Sequence, residues 1–312
     1  MALVAMTHEK ANGLSYIVPL YNEAGGIRAT LERLNAVLSA QPGLEYEIIA
    51  VNDGSRDDSA AMASEVPNVR VISHPINCGY GAALKTGIRH AKYDLVGIVD
   101  ADGTYPIEEI PRLLAQIEKG FDMVVARRSN VLDLDGPVKK MFRSIFIAVV
   151  SLLVGRKVED PNSGLRIFRR SLALTFLPFL CNAFSFTTSI TVFSFGAGFF
   201  ISYVPVEYSP RLGKSKVRHG RDSLRTAQLV LQGIMYYNPV KFSILISLAF
   251  VLTGFLPGTL LALLGFATAG WFVLWGVAIV ALLVSLGLLF DMLRIATIQS
   301  HRSDSTDPYF LG

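Results

Sequence analysis

Two carboxylates, Asp100 and Asp102, flank Ala101 directly after the apolar run Leu95-Val96-Gly97-Ile98-Val99. A buried strand that ends in acids at i and i+2 puts negative charge at the carboxyl edge of a sheet, where open α/β folds bind ligands. Two acids so close repel each other unless a cation lies between or beside them. Hard divalent ions, Mg²⁺ or Mn²⁺, prefer oxygen ligands and share them with substrate phosphates. The pair therefore points to a metal–nucleotide site; the plain alternative is a turn whose acids are solvated or cap the next helix.

Four further polar segments accompany it. Val18-Pro19-Leu20-Tyr21-Asn22-Glu23 ends a strand and starts a helix: Pro19 shapes the loop, Tyr21 can stack on a base, and Glu23 can accept from a base N–H. Asn52-Asp53-Gly54-Ser55-Arg56-Asp57-Asp58 follows a second strand, with Asp53 placed for a base or ribose hydroxyl and Ser55 or Asp57 for a helix cap. Asn77 to Gly87 is a glycine-rich entry into a helix whose N–H groups favour an anion, with Lys85 adding charge. Asp160-Pro161-Asn162-Ser163-Gly164-Leu165-Arg166 comes later. Each has a bland reading, since Asn-Asp-Gly is usually a turn and the glycine loop lacks a Gly-Lys-Ser/Thr ending. The ordered set is far more specific than any member.

These segments need a scaffold. Strand-like runs at Leu14–Pro19, Tyr46–Val51, Val69–Ser73, Leu95–Val99, Asp122–Ala126 and Ile201–Val206 alternate with helix-like runs at Glu23–Ser39, Asp57–Glu65, Gly79–His90 and Pro106–Lys119. Such alternation predicts an α/β fold with a mainly parallel, Rossmann-like sheet. Val138–Val154 opens with Lys139 and Lys140 and continues as an amphipathic helix, either a core helix or one lying on a membrane surface. Leu172–Phe186 and Val192–Phe200 are very apolar and are expected near the bilayer, although Pro178, Asn182 and the glycines argue against full spans.

Charge patterning divides the chain. Phe242 to Phe290 is a 49-residue run without a charge, enough for two crossings at ~20 residues each. Helices are expected at about 242–266 and 271–290, with Thr268-Ala269-Gly270 as the turn, Pro257 as a kink, and Trp271 and Trp275 near an interface. The resulting layout is an N-terminal tail 1–13, a domain 14–225, and a membrane domain 226–312 with a short cytoplasmic tail. Met1–Gly13 has no long apolar core and is not expected to be a secretory signal. Lys214, Lys216, Arg218, Arg221, Arg225 and Lys241 precede the hairpin, and Arg294 and Arg302 follow it. Basic residues on both flanks place the soluble part in the cytoplasm. Cys78 and Cys181 are too few for a disulfide framework, consistent with a reducing compartment. Beside a hairpin, the basic stretch Lys214–Arg225 suits anionic lipid rather than nucleic acid.

In this order, the five segments resemble family 2 glycosyltransferases of the GT-A fold, in the branch of dolichyl-phosphate mannose synthase and bacterial polyprenyl-phosphate glycosyltransferases. The resemblance covers Leu14 to Lys216, and the hairpin suits the membrane-anchored members. It implies that Pro19, Tyr21, Glu23, Asp53, Asp100 and Ala101 bind the nucleotide sugar, and that Asp102 with Asp100 holds Mg²⁺ or Mn²⁺. It matches Arg127 to the family's arginine after the following strand. Asp160 stands in the acceptor-side motif with Ser163 and Arg166, and Arg211 to Lys216 matches a phosphate clamp. Two departures stand out: Thr104 occupies a position that commonly carries Gln, and no acid follows Phe184-Ser185-Phe186-Thr187-Thr188.

The implied reaction is an inverting transfer from GDP-mannose, UDP-glucose or UDP-N-acetylglucosamine to undecaprenyl or dolichyl phosphate. The enzyme would be an integral membrane protein of a bacterial or archaeal inner membrane, or of the ER in a eukaryote, with self-association open. The acceptor phosphate, with a second pKa of roughly 6, is already ionised near neutral pH and needs little base help. Two alternatives are a polysaccharide-type transferase with a hydroxyl acceptor and a non-catalytic membrane scaffold. The first commonly needs a Gln-X-X-Arg-Trp segment, and the only tryptophans here, Trp271 and Trp275, lie in the hairpin.

Overall fold

The structure, a computed structural model, describes residues 13–130, 136–183, 185–209, 239–265 and 269–304. They divide into two compact units, 13–209 and 239–304.

The first unit is built on a seven-stranded sheet ordered β3-β2-β1-β4-β6-β5-β7. Its strands are β1 Leu14–Leu20, β2 Tyr46–Asn52, β3 Val69–Ser73, β4 Leu95–Ile98, β5 Met123–Arg128, β6 Arg166–Arg169 and β7 Ile201–Val206. All neighbouring pairs are parallel except those of β6, which runs antiparallel to β4 and β5. The helices are α1 Ile27–Ser39, α2 Ser59–Ser64, α3 Tyr80–His90, α4 Ile110–Ile117, α5 Pro137–Val154, α6 Arg170–Phe176 and α7 Phe186–Gly196. Every residue of β1 is buried, as expected for a central strand covered on both faces. Ile27, Leu31, Leu34 and Leu38 form the buried stripe of α1 at helical spacing.

Pro19 lies inside β1 rather than in the loop beyond it, paired with Val51. The Ile17 carbonyl accepts from Val99 N–H on the β4 side. Pro19, two residues on, faces the same side after pairing with β4 has ended. Its missing N–H therefore removes no ladder bond.

Tyr16 shows how tightly this centre is packed: its ring lies where a side chain on Gly97 of β4 would be. The phenol oxygen is buried and has no hydrogen-bond partner, and burial pushes its pKa far up. An orphaned buried hydroxyl costs about 1–3 kcal/mol. Tyr16→Phe is therefore expected to raise the melting temperature by about 3 °C, read by differential scanning fluorimetry.

Helix α7 corrects one expectation. Its residues from Phe186 to Ser194 are all buried within the first unit, so the run Val192–Phe200 begins in the core, while Phe200 at its far end is exposed. Thr191 and Ser194 return their hydroxyls to the carbonyls of Thr187 and Ile190, one turn back, which lets a helix carry polar residues in an apolar setting. Helix α5 is different. Met141, Phe142, Ile145, Val149 and Leu152 are exposed along one side of it, while Val150 is buried on the other.

The second unit comprises α8 Pro239–Phe250, a π turn Val251–Phe255, α9 Leu256–Leu263 and α10 Ala269–Asp304. The first three run on as one 25-residue helix, Pro239–Leu263, whose length and composition are enough to cross a membrane. The π turn precedes Pro257 and absorbs the hydrogen bond a proline cannot donate. Helix α10 runs past the anticipated end at 290 into charged residues, and it carries no charge from Ala269 to Phe290. Gly287 meets Ser243, and Gly276 meets the Phe255 ring, so small residues let the two antiparallel helices approach closely. Only 6% of the apolar window of Pro239–Leu263 is buried, whereas a soluble core helix of that composition would be mostly covered.

Candidate active site

Strand direction brings the motifs together. The loops after β1, β2, β3, β4 and β5 all leave the carboxyl edge of the sheet. Because β6 is antiparallel and starts at Arg166 opposite Ile98, the preceding segment 160–165 lies at that same edge. The chain order reverses between β1 and β4, which makes the crevice between their ends the topological switch point.

One wall of this crevice is formed by two loops tied together by hydrogen bonds. Asn22 is left-handed at φ 50°, a conformation that asparagine tolerates better than most residues. Its N–H donates to Ser55 Oγ at 3.0 Å, and its Oδ1 accepts from Arg56 N–H at 2.8 Å. Glu23 N–H donates to Ser59 Oγ at 2.8 Å, and Ala24 N–H to Asp57 at 3.3 Å. Burial opposes the charge on Asp57, but its hydrogen bonds from Ser59 and Ala24 win and lower its pKa. Tyr21 and Glu23 are half-buried just beyond the carboxyl end of β1.

Asp53 is buried, and its carboxylate accepts from Cys78 N–H, Gly79 N–H and His74 Nδ1, each at 2.8 Å. It fastens the 74–79 loop. The glycine-rich entry into α3 also differs from expectation. Ala82 N–H donates to the Asn182 carbonyl at 3.0 Å, and a Cβ at Gly81 would collide with the Cys181 carbonyl. With Gly79 N–H spent on Asp53, these glycines allow close backbone packing rather than an anion cradle. Lys85 is buried on α3, and burial, opposed by Cys181 and reinforced by Arg89, lowers its pKa.

At the centre, Tyr80 Oη donates to Asp100 Oδ1 at 2.8 Å, and a side chain on Gly164 would collide with the same carboxylate. Asp102 Oδ1 accepts from Thr104 Oγ1 at 2.7 Å and from Thr104 N–H at 3.2 Å. Ala101 is buried, and its carbonyl accepts from Thr30 Oγ1 at 3.1 Å, which anchors the turn to α1. Tyr105 Oη accepts from Gly164 N–H at 2.7 Å and so joins the turn to the 160–165 segment.

That segment corrects three further expectations. Arg166 is fully buried, and its guanidinium donates to the carbonyls of Pro161, Ser163 and Thr187 and to Thr191 Oγ1. It is a strut between the loop and α7, not a phosphate ligand, and burial lowers its pKa. Ser163 is likewise buried, donating to the Ala126 carbonyl at 2.6 Å. Asp160 forms a bidentate pair with Arg128, at 2.7 and 2.8 Å, and also accepts Arg128 N–H. Burial works against the charge on Arg128, but Tyr105 and Asp160 outweigh it and keep the guanidinium protonated. The expected arginine, Arg127, points elsewhere on β5, pairing with Glu159 at 3.0 Å. Arg211 and Lys216 lie outside the described residues.

Sequence reasoning missed the tyrosines. Tyr80 and Tyr105 flank the acid pair; Tyr208 packs edge-on to Tyr105 at 5.1 Å and covers the Arg128 guanidinium at 5.3 Å. No motif marks them. The only available signal was the alternation of side chains along β5, which sends Arg127 and Arg128 to opposite faces.

A mixed, mostly parallel sheet with its acid pair at the switch point is the architecture of GT-A glycosyltransferases. Solved structures of glucosyl-3-phosphoglycerate synthase from Mycobacterium tuberculosis share this fold. The complex with Mn²⁺, UDP-glucose and phosphoglyceric acid and the complex with Mg²⁺ and UDP each superpose with TM-score 0.59 at 19% identity. The superpositions cover 72% of this chain and 80% and 79% of those chains. The chain belongs to glycosyl transferase family 2, whose profile matches residues 15–177. Among relatives, the undecaprenyl-phosphate 4-deoxy-4-formamido-L-arabinose transferase of Proteus mirabilis is 37% identical over 57% of this chain and 58% of its own length. The protein of the same name from Pseudomonas fluorescens is 31% identical over 88% of this chain and 74% of its own. The chain spans about three-fifths of the length of the first curated relatives it matches.

Proposed function

We propose that this protein transfers a sugar from a nucleoside-diphosphate donor to a polyprenyl phosphate at the cytoplasmic face of a membrane, with inversion at the anomeric carbon. The observation that carries this reading is the pairing of an acid site at the switch point with acceptor-side carboxylates already committed to cations. Asp160 is held by Arg128, and Glu159 by Arg127 and Lys157. A hydroxyl acceptor needs a carboxylate poised to take its proton; a phosphate acceptor arrives ionised and needs none. The names of the relatives, which specify undecaprenyl phosphate, support the same class of acceptor.

The site suits a hard divalent ion, Mg²⁺ or Mn²⁺. Asp100 and Asp102 offer only oxygen, and Gly164 lets the Asp100 carboxylate lie where any Cβ would displace it. Bound there, the ion would neutralise charge on the leaving diphosphate. The chain's own groups do the rest. Thr104 fixes the Asp102 carboxylate, Tyr80 fixes Asp100, and Tyr21 with Glu23 lines the base side of the crevice. Arg127 pairs with Glu159 and can exchange it for a phosphate, and the family resemblance adds Arg211 and Lys216, outside the described residues, to the positive field that two mutually repelling anions require. Gly164→Ala is expected to weaken Mn²⁺ binding roughly 10–100-fold, measured by the electron paramagnetic resonance signal of free Mn²⁺.

Membrane attachment rests on two features. The uncharged run Phe242–Phe290 forms helices with leucines exposed on their outer faces, and α5 exposes a separate apolar stripe in the first unit. The basic residues on both flanks of the hairpin support a cytoplasmic position for that unit.

Acceptor competition tests the reading. Offered equal amounts of a short polyprenyl phosphate and the matching polyprenol, the purified enzyme is expected to label only the phosphate. Comparable product on the alcohol would overturn the choice of acceptor.

A further inference from the structure

We propose that Asp53, His74 and Cys78 form a second cation site, suited to a borderline ion of the Zn²⁺ type and separate from the hard-oxygen pair Asp100 and Asp102. One ligand atom from each of the three, a carboxylate oxygen, an imidazole nitrogen and a thiol sulfur, lies within 4.8 Å of the others. A mixed O, N and S set selects Zn²⁺ or its analogue Co²⁺ over Mg²⁺ or Mn²⁺.

The surroundings prepare the ligands. His74 Nδ1 faces Asp53 Oδ1 at 2.8 Å, while Nε2 lies 2.9 Å from Thr86 Oγ1. An ion on Nδ1 requires the ring proton on Nε2, and the Thr86 oxygen stands there to accept it. This is the outer hydrogen bond that ligating histidines carry. The Asp53 carboxylate is already fixed by the N–H groups of Cys78 and Gly79, which leaves its orientation little to lose on binding. Cys78 is exposed and supplies the entry side. Two bonds of ~2.0 Å at a tetrahedral angle set N and O about 3.3 Å apart. Ring and carboxylate therefore need to part by only about half an ångström to seat the ion.

Proton balance is simple. The thiol loses its proton to solvent, and the imidazole proton that Nδ1 donates to Asp53 moves to Nε2, where the Thr86 oxygen accepts it. The occupied site would cross-link the end of β2, the end of β3 and the entry to α3.

The test uses the full-length protein in detergent, stripped of metal, with excess Mg²⁺ present to occupy the oxygen site. Titration with Co²⁺ is expected to produce thiolate-to-cobalt charge-transfer absorption that saturates at about one equivalent and is abolished by Zn²⁺. The band should vanish in Cys78→Ser, persist in Cys181→Ser, and require roughly 10–100-fold more Co²⁺ in Thr86→Val. Absence of the band in the unmodified protein, or its survival in Cys78→Ser, would overturn the proposal. The readout needs no turnover, so it stands or falls apart from the assignment of donor and acceptor.

Discussion

Asp102→Asn is expected to lower sugar transfer to polyprenyl phosphate by about a thousandfold while the melting temperature stays within about 2 °C. The amide keeps the shape of the side chain, and its oxygen still accepts from Thr104 N–H and Oγ1. Only the charge is lost, and with it the anchor for a divalent ion beside the leaving diphosphate. Asp100 cannot take over the part unaided, because its carboxylate is held from one side by Tyr80 Oη and packed on Gly164 from the other. Transfer by Asp102→Asn at more than about a tenth of the normal rate, with Mg²⁺ or Mn²⁺ saturating, would remove the acid pair from the centre of the mechanism.

Arg166→Met is expected to produce the largest loss of stability. The methionine fills much of the volume but abandons the carbonyls of Pro161, Ser163 and Thr187 and the Thr191 hydroxyl in a fully buried setting. Each acceptor left unsatisfied costs about 1–3 kcal/mol. The sum is on the order of 4 kcal/mol or more, a drop of roughly 10 °C in melting temperature. Because the same loop carries Asp160 and Gly164, activity should fall below that of the unmodified enzyme even at temperatures where the variant is folded. Thermal melting followed by circular dichroism checks the first part; an unchanged melt would mean that Arg166 is not the strut described.

The strands that position the site were legible because β1, β2 and β4 are short, mainly apolar runs bounded by turn residues. Those patterns follow from burial on both faces of a parallel sheet. Strand β6 was not legible. It is four residues long and begins and ends in arginine, and it forms only because β4 and β5 present open edges on either side. The error over Arg166 and Ser163 has the same origin. Arg and Ser in a polar motif read as ligands for phosphate, and only the packing of α7 over the loop turns them inward. Likewise the glycines at 79 and 81 look like a phosphate loop in sequence, but the approach of Cys181 and Asn182 is a long-range event that local spacing does not encode.

The acid pair itself was readable, since its spacing and place after a buried strand are local facts. Its dependence on Tyr80, Tyr105 and Gly164 was not. Nor was the choice of Arg128 over Arg127 as the partner of Asp160, because neighbouring strand residues face opposite ways and the sequence does not say which face meets the 160–165 segment.

The most direct test of the central claim is formation of lipid-linked sugar by the purified full-length enzyme. The assay contains a short polyprenyl phosphate, Mg²⁺ or Mn²⁺, and a panel of nucleotide-sugar donors that includes GDP-mannose, UDP-glucose and UDP-N-acetylglucosamine. A charged glycosyl-phosphoprenyl product is expected with one donor, lost when the divalent ion is chelated. Nucleotide released without any lipid-linked sugar, or product formed equally well after chelation, would contradict it.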